Sequence, residues 1–117
     1  MVMPVLFVSL NQTFDPAASI PQIEPWVQRA WALTVAKASL CDRVVAVFQG
    51  LPVAAWRLRG AFPTDEAYLV SDGSTRPRIG LSLGDPLPIQ QSYLDVPALR
   101  RGVAVVELDV EPLAQER

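Results

Sequence analysis

Proline is the feature that most restricts this chain. Eleven prolines are spread along 117 residues, and each fixes φ and removes a backbone donor, so a long helix cannot run through them. The stretch "NQTFDPAASIPQIEPWVQRAW" carries three, at positions 16, 21 and 25. It is expected to hold only a short helix, with Pro25 at its first position and the helix running through Trp26 to Ala30. Thr34 is placed to cap a second short helix, "VAKASL", ahead of Asp42.

The segments outside that region read as strands. Val2 to Leu10 is rich in Val, Leu and Phe and fits a buried strand. "RVVAVF" from Arg43 is a near-continuous apolar run, as in a strand covered on both faces. "QGLP" supplies a turn, and "VAAWRLRGAF" returns as the hairpin partner. Alternation assigns Ala54, Trp56, Leu58 and Phe62 to one face, and Val53, Ala55, Arg57 and Arg59 to the other. "SDGSTRP" is a loop, "RIGLSLG" a strand with Ile79, Leu81 and Leu83 inward, and "DPLPIQQSY" an extended, proline-interrupted run. "VPALRRG" is expected to form one helical turn closed by Gly102, and "VAVVELDV" the last strand.

This order predicts an α+β fold: a small, curved, mainly antiparallel, β-barrel-like sheet of about five to six strands with two or three short helices. A regular parallel α/β sheet would need a longer helix after each strand. The length suits a single domain, 1–117, with an ordered core over 1–111 and a frayed tail over 112–117. Half the residues are hydrophobic, which at this size supplies a core without metal or disulfide. The apolar start is read as a strand rather than a leader or a membrane span, and the expected setting is cytoplasmic.

The chemistry is narrowed mostly by what is missing. With no histidine and one cysteine, Cys41, Ser–His and Cys–His nucleophilic schemes, His-ligated metals and intrachain disulfides are excluded. Cys41 reads as a small buried residue. Gly80 and Gly84 in "GLSLGDP" lack the Lys-Ser/Thr ending of a phosphate loop. Asp42, Asp65, Glu66, Asp72, Asp85 and Asp95 all read as turn formers, caps or solvated charges, and no spacing pairs them. No cofactor and no metal are expected, and the balance points away from an enzyme.

Arg57 and Arg59 leave a real choice. They share one strand face about 7 Å apart, and Glu107 and Asp109 share another. The two pairs either form a cross-strand ladder, or the arginines hold an anionic ligand, widened by Arg76, Arg78, Arg100 and Arg101. Trp31, in "QRAWAL" beside Arg29, is either core or a surface on which a base or small ring stacks.

"VLFVSLNQTFDP", "QRAWAL" and "DRVVAVFQGLPVAAWRLRGAF", over residues 5–62, together resemble in layout the PUA-like superfamily (PUA, ASCH and EVE domains) of small bacterial domains. This resemblance implies a curved β-barrel that binds RNA, or a modified or flipped base, in a cleft. Carried onto this chain, the cleft is lined by Asn11, Arg29 and Trp31, with Arg57 added from the strand reading. The formal charge of −2 disfavours broad nucleic-acid affinity. It is compatible with a site for one base or a nucleotide-like molecule.

The sequence therefore points to a non-enzymatic module that recognises RNA, DNA or a nucleotide-like ligand. Two rivals remain. One is a protein-interaction or homodimerisation module, using Leu51, Val53, Trp56, Phe62 and the 86–97 stretch. The other is an enzyme that relies on carboxylates alone.

Overall fold

The computed structural model describes residues 1–10, 20–28, 31–70, 72–95 and 102–113. Five strands form one sheet: β1 (Val2–Ser9), β2 (Arg43–Phe48), β3 (Leu51–Leu69), β4 (Thr75–Leu87) and β5 (Val103–Asp109). Two helices, α1 (Ile20–Val27) and α2 (Val35–Ala38), lie between β1 and β2, and a 3₁₀ helix, Gln91–Asp95, precedes β5. The strand order is β4-β3-β2-β1-β5. β1 pairs with β2 in parallel, because the chain crosses over between them, and every other pairing is antiparallel. The α+β class and the mainly antiparallel sheet stand. The sheet is open, with β4 and β5 at its edges.

Local chemistry explains most of the elements. Gln49 (φ 50°) and Gly50 (φ 80°) both have positive φ, as a two-residue turn matching the twist of its strands requires. Thr34 caps α2, its side chain accepting from the Lys37 N–H at 3.2 Å. Pro25 does not start a helix as expected. It lies inside α1, where the helix ends two residues later. The expected turn over "VPALRRG" falls on residues 96–101, outside the described part.

β3 and β4 are far longer than the sequence suggests. Pro77 and Pro86 sit in β4, an edge strand, and Pro63 lies beside a register shift between Pro63 and Ala67. Edges and bulges are where a sheet tolerates a missing donor. A further shift occurs between Ala46 and Val47, where Ala46 faces Ala54 but Val47 faces Pro52. Val53 is the extra residue of that bulge, which turns it to pack with Ala54 and Trp56 instead of with Ala55.

Both faces of the sheet are covered. Leu6, Val8, Val44, Trp56, Ile79 and Leu81 form the larger core with Ile23 and Val27 of α1 and Ala38 of α2. Val5, Phe7, Val45 and Ala55 form the smaller one with Tyr93 of the 3₁₀ helix, whose ring meets Phe7 edge-on at 6.3 Å. This two-sided burial explains why β1 and β2 are apolar throughout.

Candidate functional site

A groove opens on the larger-core side of the sheet. One wall is the distal arm of the β3–β4 hairpin, carrying Leu69, Arg76 and Arg78. The opposite wall is the β1–β5 pair, with Pro4, Val103, Val105 and Glu107. Pro4 and Glu107 face each other in register, as the alternation of side chains across the two strands requires. Lys37 and Leu40 at the end of α2 also line it. The groove is open to solvent, with about 1620 Å³ of space along it, above the roughly 300–1,000 Å³ usual for a small-molecule site.

Trp31 lines the groove next to Gly102. Its N–H donates to the Ile79 carbonyl at 2.8 Å and its carbonyl accepts from the Ile79 N–H at 3.0 Å, which anchors it to β4. Its ring lies against Gly102 at the start of β5, where an added Cβ would stand 3.6 Å from the ring. The indole N–H donates to the Val27 carbonyl at 2.8 Å. With that donor engaged and the side chain only half-buried, Trp31 offers the groove ring surface and no hydrogen bond.

Charge is unevenly distributed. Lys37, Arg76 and Arg78 line the groove against Glu107, so three cations and one acid leave +2 locally in a chain of net −2. Among the described residues, no group of three or more Asp, Glu or Cys side chains is placed to hold a metal ion.

The four candidate residues from the sequence do not all converge. Trp31 lines the groove. Asn11 and Arg29 fall outside the described residues, as do Arg100 and Arg101. Arg57 does not line it: its register partner is Arg43 on β2, and it lies with Arg59 beside Gly84, where an added Cβ would come within 2.9 Å of Arg59 Nε. The ladder of Arg57 and Arg59 with Glu107 and Asp109 does not form either, because β2 and β1 lie between β3 and β5. Asp109 accepts instead from the N-terminal ammonium at 2.6 Å. Of the apolar surface expected to take a partner, Trp56 is fully buried, its Nε1 donating to Glu24 at 3.1 Å.

Sequence reasoning missed two residues. Lys37 joins the groove because α2 packs beside it, and no motif marks this. Arg43, a charged residue with no exposed surface, is the hub of a second polar cluster. Nε and Nη2 grip Asp42 at 2.9 and 3.2 Å, Nη2 donates to the Glu111 carbonyl at 2.9 Å, and Nη1 donates to the Tyr93 hydroxyl at 3.2 Å. Burial pulls its pKa down, but the bonds to Asp42 and Tyr93 outweigh this and hold it above the ordinary value. With its donors engaged inside the fold, Arg43 is structural.

No protein-family model, curated protein or solved structure matches the chain.

Proposed function

We propose that this chain is a non-enzymatic, cytoplasmic binding module that holds a nucleic-acid segment or a nucleotide-like ligand in the groove. One observation carries the reading. An aromatic face with no free donor and three cations line a single groove in an otherwise acidic chain. A ring stacked on Trp31 with an anionic group held by Arg78, Arg76 or Lys37 satisfies both features. The PUA-like layout that residues 5–62 resemble is proposed together with this reading. Local cations answer the objection from net charge, because a small ligand needs few phosphates neutralised.

The test is binding of plain and base-modified oligonucleotides by the wild type, Trp31→Ala and Arg76→Glu. Trp31→Ala is expected to weaken binding by about 1–3 kcal/mol, the value of one stacked base. Arg76 is exposed, so its variant keeps the fold and isolates the charge. If the wild type binds no oligonucleotide, the reading fails.

A second reading has its own observation. Leu40 and Leu69 on the groove are 69% and 75% exposed, an apolar rim suited to a protein partner or a second copy. A mass that rises with concentration in light scattering, with no oligonucleotide binding, would favour it.

A further inference from the structure

The two walls of the groove differ in chemistry, and that difference restricts the ligand further. Arg76 and Arg78 lie two residues apart on β4, so their side chains share a face and sit about 7 Å apart. Ile79, the next residue, is bonded to Trp31. The cations therefore lead away from the aromatic ring in sequence order along one strand. The opposite wall is apolar at Val103 and Val105 and acidic at Glu107. Five residues separate Gly102, against Trp31, from Glu107, a length of roughly 17 Å along a strand. A single nucleotide does not fill that length.

We infer that the groove takes the end of a single strand, two to three nucleotides long. Its terminal base stacks on Trp31, and its phosphates follow the β4 wall past Arg78 to Arg76. This rests on the nucleotide-binding reading above. The backbone runs along β4 because Glu107 repels phosphate from the β5 wall. The bases then face Val103 and Val105, with Glu107 available to accept from an exocyclic amine. The strand is taken to end at Trp31, whose backbone is bonded to Ile79 and whose ring lies beside Gly102. A duplex does not suit, since its bases are paired, with their Watson–Crick amines engaged, and cannot turn their edges toward Val103, Val105 and Glu107.

A length series tests this: a nucleoside monophosphate, a dinucleotide, a trinucleotide, a hexanucleotide and a closed hairpin duplex, titrated at several salt concentrations. The trinucleotide should bind at least tenfold more tightly than the monophosphate, the hexanucleotide within twofold of the trinucleotide, and the hairpin no better than the monophosphate. With two phosphates engaged, log K should fall against log salt with a slope of about −1.4. Arg76→Glu should weaken the trinucleotide at least tenfold and the monophosphate, whose phosphate sits nearer Arg78, by a smaller factor. If the monophosphate matches the trinucleotide, the site holds one nucleotide and this inference fails while the binding reading stands. Affinity that keeps rising beyond the trinucleotide would show an open track and also overturn it. If nothing in the series binds, both readings fall.

Discussion

Cys41 and Trp31 show how much a single side chain reveals before its surroundings are known. Cys41 was legible as a small buried residue, and it is 7% exposed. Burial, helped by the neighbouring Asp42 charge, pushes its thiol from 9.0 up to about 11. A raised pKa means that the folded protein keeps the thiol proton when the unfolded chain would release it. The resulting stability is complete below pH 9 and is lost as the pH rises through 11. Denaturant unfolding of wild type and Cys41→Ala at pH 8 and pH 11 should show the wild type's advantage shrinking by up to about 2 kcal/mol. A difference that does not change with pH would refute this. Trp31 was legible as an aromatic in an irregular segment. Its position on the groove was not, because that depends on Ile79 and Gly102, far away in sequence.

At the scale of elements, turns and caps could be read from the sequence and strand lengths could not. "QG" between two apolar runs marks a tight hairpin, and Thr34 marks a helix start, because both rest on chemistry within four residues. No atom lies within 4 Å of where a Cβ at Gly50 would stand, so Gly50→Ala has only the positive φ to oppose it. It should cost about 1 kcal/mol in unfolding free energy. A loss near zero would mean that the turn relaxes to another conformation. β3 and β4 extend past Pro63, Asp65, Glu66 and Pro77, residues that signal a break in an isolated chain. Bulges and an edge position absorb them, and neither can be seen without the partner strand. The long hairpin arm that carries Arg76 and Arg78 was therefore hidden.

Across the whole molecule, Arg43 joins segments that are far apart in the chain. Besides gripping Asp42, it reaches the 3₁₀ helix through Tyr93, the segment after β5 through Glu111, and β1 through the sulfur of Met3 at 3.7 Å. Arg43→Leu would strand a half-buried carboxylate, a buried hydroxyl and a carbonyl together. Its expected cost is about 2–3 kcal/mol, moderated by the partial exposure of Asp42. Hydrogen exchange should report it as faster exchange at Tyr93 and Glu111, ahead of the β1–β2 centre. Unchanged stability and exchange would show that the cluster is dispensable.

The local pattern by itself determined the class of this protein: apolar runs with tight turns, too many prolines for long helices, and no histidine for common catalysis. Those properties depend on side chains within a few residues of one another, where steric and hydrogen-bonding preferences act directly. Tertiary structure alone decided strand order, which separated Arg57 and Arg59 from Glu107 and Asp109. It also buried Arg43 and brought Trp31, Lys37, Arg76 and Arg78 to one groove. Such placements come from burying two apolar faces at once, a balance summed over the whole chain that no short segment contains.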